Sequence, residues 1–96
     1  MQLDAKKFGE RIAEQRDRLD MTQEELAKQV GVNSVRYIQR LEHGQRMCSV
    51  DLLVELSETL CVSVDYLLTG RETKRDVIRN GLLSIINQLA EIVRNI

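Results

Sequence analysis

The sequence predicts an all-α fold, and two observations support this. Apolar residues recur three and four positions apart rather than alternating, which is the spacing of one helix face. Proline is absent from all 96 residues, so no proline interrupts a helix. A chain of this length suits one compact domain, or one small domain with an extra element, and it leaves little room for a deep active-site cleft.

The first two predicted helices each begin with a recognisable cap. Asp4 can accept hydrogen bonds from the free amides of a first helix, which should end near Leu19. Thr22 and Glu25 form a capping-box pattern at the start of a second, shorter helix, which stops at Gly31. The expected buried residues of these two helices are Phe8, Ile12, Leu19, Leu26, Ala27 and Val30.

A third helix follows, and its N-terminus is ambiguous. Either Asn33 or Ser34 can cap it, and Gly44 ends it. Its apolar positions are Ile38 and Leu41. The second and third helices therefore lie on either side of a tight glycine turn, an arrangement that permits DNA binding but also occurs in ordinary helical bundles.

Three further capped runs complete the predicted fold. Their N-termini are marked by the pairs Ser49 and Asp51, Ser63 and Asp65, and Thr73 and Asp76. The apolar residues of the fourth and fifth helices are Leu52, Leu53, Leu56, Leu60, Tyr66, Leu67 and Leu68. The sixth helix is expected to run to the C-terminus. The segment 70–73 is the one candidate domain edge, so we predict a domain over residues 1–70 and a C-terminal helix over residues 71–96.

Charge and composition exclude several functions. The net charge is −1, and residues 1–70 hold nine Lys and Arg against twelve Asp and Glu, so nucleic acid would have to be bound by a local cluster. Such a cluster is formed by Arg36, Arg40, His43 and Arg46. We expect a cytoplasmic protein without a membrane segment, because no apolar run approaches the roughly 18 residues of a membrane span.

Neither catalysis nor a metal site is indicated. Cys48 and Cys61 lie thirteen positions apart without a CxxC pair or a second histidine, and two reduced, packed thiols are expected. His43, the single histidine, has no nucleophile or carboxylate constellation around it. We therefore predict no enzyme activity, no cofactor and no small-molecule substrate.

Two segments carry a resemblance to a known family. TQEELAKQVGVNSVRYIQRLEHGQR and the following SVDLLVELSETLCVSVDYLLTG closely resemble the lambda-repressor-like (Cro-type, XRE family) helix-turn-helix domains, over about residues 5–70. The resemblance implies a five-helix DNA-binding domain whose third helix enters the major groove of double-stranded DNA. The implied function is a sequence-specific transcriptional regulator, in particular a repressor that occupies a palindromic operator.

The resemblance also assigns roles to individual residues. Gln23 matches a glutamine that contacts a DNA phosphate, and His43, Gln45 and Arg46 match a loop that does the same. Arg16 and Glu42 match a structural ion pair between the first and third helices.

The turn before the third helix departs from the family pattern. Ile38 is the seventh residue after Gly31, where the family places its equivalent sixth, so one extra residue lies in the range 33–35. Counting back from Ile38 assigns base contacts to Arg36 and Arg40, which share one helix face because they are four apart. Val35 either packs on a thymine methyl or closes the turn. Ser34 and Tyr37 are assigned to phosphates, although Tyr37 fits the core equally well.

The last helix carries an apolar seam. Its residues recur at alternating spacings of four and three, as in a coiled coil, and are Ile78, Leu82, Ile85, Leu89, Ile92 and Ile96. This pattern favours a homodimer, which suits a two-fold operator. Two alternatives remain: the helix folds back on its own domain, or it binds a different protein, as the C-terminal segment of an antitoxin binds its toxin.

Overall fold

The computed structural model describes residues 3–96, and within this range the secondary structure is entirely helical. Six α-helices follow one another: α1 (Ala5–Arg18), α2 (Gln23–Gln29), α3 (Val35–Glu42), α4 (Val50–Leu60), α5 (Val64–Thr69) and α6 (Lys74–Arg94). The all-α prediction is confirmed.

Five of the six helices begin with a side-chain cap, at the residues that the sequence predicted. Asp4 accepts from the amides of Lys6 and Lys7 at the start of α1. The predicted capping box at Thr22 is formed, a second one forms at the predicted helix start Thr73, and Ser49 and Ser63 cap α4 and α5. Each such cap stabilises its helix by about 1 kcal/mol because it satisfies an amide that has no partner inside the helix.

Helices α1 to α5 surround a single hydrophobic core. Its buried side chains are Phe8, Ile12, Leu26, Ala27, Val30, Ile38, Leu41, Leu52, Leu56, Leu60, Val62, Tyr66 and Leu67. The sequence pattern had not predicted Val62, which lies in the turn between α4 and α5. Leu19, which was expected to be buried, is only partly buried at the edge of the core, and so are Leu53 and Leu68.

The crossing of α1 and α3 is unusually close because a glycine lies at the contact. A Cβ atom built on Gly9 would lie 2.3 Å from the carbonyl oxygen of Leu41 and 2.6 Å from that of Glu42. Gly44, just after α3, approaches the backbone of Lys6 in the same way and has a positive φ of 73°. The C-terminal end of α3 is thus held close to α1.

Helix α6 packs against α1 but leaves its apolar seam exposed. The six seam residues are between 54% and 99% exposed. The side chains that it turns toward the other helices are mostly polar and are described below. None of the helices within residues 3–96 combines the length and hydrophobicity needed to cross a membrane.

Candidate DNA-binding site

The turn between α2 and α3 is closed by Gly31 in a left-handed conformation. Its φ is 78°, and the amide of Val32 donates to the carbonyl of Ala27, which ends α2. Helix α3 begins at Val35, with Ser34 at its N-cap position. The Ser34 hydroxyl makes no capping hydrogen bond with the helix, and the side chain is exposed. Ser34 is therefore the cap position, but its side chain remains available at the surface.

Helix α3 has two chemically opposite sides. Ile38 and Leu41 are completely buried in the core. Arg36 and Arg40 are exposed, and neither side chain forms an ion pair or a hydrogen bond within the described residues 3–96. Val35 is half-buried beside the turn. The helix consequently holds two free guanidinium groups outward from a rigid support.

A buried ion pair ties α3 to α1. Arg16 donates to the two carboxylate oxygens of Glu42 at 2.7 and 3.1 Å, and the Glu42 side chain is only 5% exposed. The hydrogen bond to Glu42 raises the pKa of Arg16, so the guanidinium group stays protonated. Removing one partner of such a buried pair typically destabilises a protein by about 3–5 kcal/mol. The predicted structural pair is present in the structure.

Gln23 belongs to the same network. Its Nε2 donates to Glu42 Oε1 at 2.9 Å, so the first residue of α2 is fixed directly to the end of α3. An amide nitrogen carries two hydrogens, and one of them is still free to reach a phosphate.

Gln39 is a surface residue that sequence reasoning missed. It is exposed on α3, and its Nε2 lies 3.5 Å from Gln23 Oε1. It lies one residue before Arg40 and three after Arg36. Because Gln39 is three residues after Arg36, helical spacing alone could have placed it on the same outward side of α3.

The loop after α3 adds further polar groups. His43 and Gln45 are exposed, and the His43 ring Nδ1 lies 2.6 Å from the carbonyl of Gln39. Arg46 is exposed and stacks over the ring of Tyr37, with 4.1 Å from its guanidinium carbon to the ring centroid. Tyr37 itself is half-buried against the core, so its ring serves as a platform that orients Arg46.

The charge around α3 is positive although the chain as a whole is weakly acidic. Between residues 26 and 50 the single acidic residue is Glu42, and this carboxylate is buried and neutralised by Arg16. The same stretch contains Lys28, Arg36, Arg40 and Arg46. The other acidic residues of the described chain lie outside this stretch, so positive charge predominates within it.

The two cysteines and the acidic residues make no metal centre. Cys48 and Cys61 are unpaired and half-buried, and burial raises the pKa of the Cys48 thiol. Among residues 3–96 no group of three or more His, Cys, Asp or Glu side chains is close enough to bind a metal ion.

Three features together are those of a helix-turn-helix protein: a short glycine turn between α2 and α3, a buried inner side of α3 and a basic outer side of α3. The family model described as helix-turn-helix (HTH_3) matches residues 12–67, which is more than half of the chain. The chain therefore belongs to this family, and the resemblance inferred from its sequence is confirmed. It is a helix-turn-helix transcriptional regulator.

A curated relative and two solved structures are among the proteins similar to it. An uncharacterised transcriptional regulator in the ATPase CF(0) region of Rhodospirillum rubrum is 34% identical over 74 residues, which cover 77% of this chain and 67% of that protein. The P22 c2 repressor, solved in complex with a synthetic operator, is 38% identical with a TM-score of 0.64, over 74% of this chain and all of that one. The restriction-modification controller protein C.AhdI of Aeromonas hydrophila is 32% identical with a TM-score of 0.63, over 68% and 97%.

Proposed function

We propose that this regulator is a cytoplasmic homodimer that represses transcription by occupying a palindromic operator. One observation supports the proposal most directly. Arg36 and Arg40 are exposed on α3 and their side chains have no partner in the described chain, while Ile38 and Leu41 on the other side of α3 are completely buried. The P22 c2 repressor, a similar protein, is seen in complex with an operator, which supports the same partner for this chain.

Base recognition is assigned to the outer side of α3. Arg36 and Arg40 can each donate two hydrogen bonds to guanine O6 and N7 in the major groove, which discriminates against another base by about 1–3 kcal/mol. Val35 keeps part of its side chain exposed at the N-terminal end of the helix, where a thymine methyl would contact it. Gln39 lies on the same side and is added to this group.

Phosphate contacts are assigned to the polar side chains that border the outer side of α3. Gln23, Ser34 and Gln45 supply uncharged donors, and His43 and Arg46 supply nitrogen donors after the end of α3. Tyr37 orients Arg46, whose guanidinium group stacks on the tyrosine ring. The Tyr37 hydroxyl is also assigned as a donor to a DNA phosphate. Such contacts fix the position of the helix on DNA without reading sequence.

Dimerisation is assigned to the apolar seam of α6. The residues that α6 turns toward its own domain are mostly polar, so the seam is not needed to attach the helix. An apolar seam of this length is not stable in water when left uncovered. Its alternating spacing of four and three suits an identical helix as the covering element, and the two copies would present two α3 helices to DNA.

The proposal is tested by selecting bound oligonucleotides from a random pool with the purified protein. We expect an inverted repeat whose half-site centres are about 34 Å apart, one turn of DNA. Sedimentation equilibrium of the free protein should give twice the mass of the chain. Recovery of unrelated sequences, or binding only after a co-purified protein is added, would contradict the proposal, and the latter would favour the antitoxin-like alternative.

A further inference from the structure

Helix α6 has two unlike sides, and the side that faces the domain is the polar one. Positions 76, 80, 83 and 87, which lie on one helix face, are buried or half-buried. Three of these four residues are Asp76, Asn80 and Asn87, and Arg79 borders them. A surface helix normally turns its apolar side to its own domain, so α6 has the reverse arrangement.

The polar side is attached at the ends of other helices. Asp76 accepts from the amide and hydroxyl of Ser63, the N-cap of α5, at 3.3 and 2.9 Å. Arg79 donates to the carbonyl of Cys61, the C-cap of α4, at 2.7 Å. These two attachments hold the first turns of α6 against the junction between α4 and α5.

A further attachment lies near the middle of α6. Asn87 donates from Nδ2 to the carbonyl of Arg18, the last residue of α1. Asp76 and Asn87 are eleven residues apart, a separation of about 16 Å along a helix. Because hydrogen bonds are directional, a helix held at two points this far apart cannot pivot or slide as one held by apolar contact alone would.

We propose that Asp76, Arg79 and Asn87 are positioning residues that fix the direction of α6 relative to α3. In a dimer joined through the α6 seam, that direction sets the distance and angle between the two α3 helices. It thereby sets the operator spacing that the dimer accepts. This inference rests on the proposed dimeric function, but its first readout does not depend on DNA.

The test compares Arg79→Ala combined with Asn87→Ala against the control pair Arg75→Ala and Glu91→Ala. Both control residues are exposed on α6, and the Glu91 ion pair with Arg94 is fully at the surface. Asp76 is left intact because it also caps α6. Sedimentation equilibrium first establishes that each variant still dimerises.

The first readout is a distance distribution between spin labels on the two subunits. Labels are attached at Lys28→Cys on α2, with both native cysteines replaced by serine. We expect one narrow distance in the unmodified dimer and in the control, and a clearly broader distribution in the Arg79→Ala/Asn87→Ala dimer. An unchanged distribution in that dimer would overturn the inference.

The second readout is affinity for the selected operator and for versions with one base pair added or removed between half-sites. We expect the preference for the best spacing to fall by roughly threefold or more in the Arg79→Ala/Asn87→Ala variant, with half-site affinity unchanged. A full wild-type spacing preference would overturn the inference while leaving the proposed function intact. A wild-type protein that sediments as a monomer would overturn both.

Discussion

At the scale of single residues, the side chains proposed to contact DNA fall into two groups. Arg36 and Arg40 have no partner within the described chain, whereas Gln23 is already bonded to Glu42. Free guanidinium groups are suited to base edges, and a fixed amide is suited to a phosphate whose position is the same for every sequence. The two kinds of residue should therefore respond differently to truncation.

Arg36→Ala should relax the preference at one base position. The expected loss is about 1–3 kcal/mol of discrimination at that position, because two hydrogen bonds to guanine disappear. Gln23→Ala should instead weaken binding to all sequences alike. Both are measured by repeating the selection and by titrating the best sequence and its single-base variants. An Arg36→Ala protein with unchanged affinity and preference would show that the assumed register of α3 is wrong.

At the scale of helices, the position of α3 depends on how closely it approaches α1. The backbone carbonyls at the end of α3 occupy the space where a side chain on Gly9 would lie. Carbonyl groups of the main chain cannot rotate away as a flexible side chain can, so the crossing requires glycine.

Gly9→Ala should lower the free energy of unfolding by about 1–3 kcal/mol, because the added methyl group forces the two helices apart. This loss includes the gain of about 1 kcal/mol that alanine normally brings to a helix interior. Urea unfolding followed by circular dichroism measures it, with Glu10→Ala at the adjacent exposed position as the control. A Gly9→Ala protein more stable than wild type would refute the close crossing.

The attachment of α6 to α5 is also an element-scale feature, and it depends on pH. Burial raises the pKa of Asp76, but the hydrogen bonds that its carboxylate accepts from Thr73 and Ser63 outweigh burial, and the net pKa lies below the ordinary value of 3.8. The stabilisation is therefore fully present above pH 3.8 and is lost as the pH falls below it toward the lowered pKa.

Asp76→Asn should lower the free energy of unfolding by about 1–3 kcal/mol near neutral pH, because an ionised acceptor is lost. The difference between wild type and variant should shrink as the pH falls below 3.8, where wild type also becomes protonated. Urea unfolding at a series of pH values measures this difference, and the subtraction removes the titration of the other carboxylates. A gap that stays constant down to strongly acidic pH would exclude the ionised form as its source.

At the scale of the whole molecule, the chain combines the positively charged outer side of α3 with the apolar seam of α6. Arg36 and Arg40 project from α3, within the residues matched by the family model, whereas the seam lies on α6, outside them. The two surfaces can therefore be altered separately.

Leu82→Gln combined with Ile85→Gln should convert the proposed dimer to a monomer without unfolding helices α1 to α5. Both side chains are more than half exposed in the single chain, so the change removes no core contact. Sedimentation equilibrium should give the mass of one chain and the urea transition of the first domain should be retained. Operator affinity should fall by at least tenfold, since a monomer binds only one half-site at a time. Glu91→Ala serves as the control, and a doubly substituted protein that remains dimeric would place the interface elsewhere.

The sequence by itself determined the elements. Capping residues such as Thr22 and Ser49, the three-and-four spacing of apolar residues and the turn glycine Gly31 act through neighbours a few positions away, so the helices and most of the core could be read from the linear pattern. The ordered match over residues 5–70 likewise predicted the family, and with it the Arg16 and Glu42 pair.

Tertiary structure decided what lies next to what. Three contacts join residues that belong to different segments of the chain: the close approach at Gly9, the hydrogen bond from Gln23 to Glu42 and the stacking of Arg46 on Tyr37. No local sequence pattern specifies such contacts. The same holds for α6: its apolar seam was evident from spacing, but only packing against α1 and α5 showed that its polar side faces the domain. Local interactions fix helices within a few residues, whereas the mutual placement of helices depends on the whole core at once.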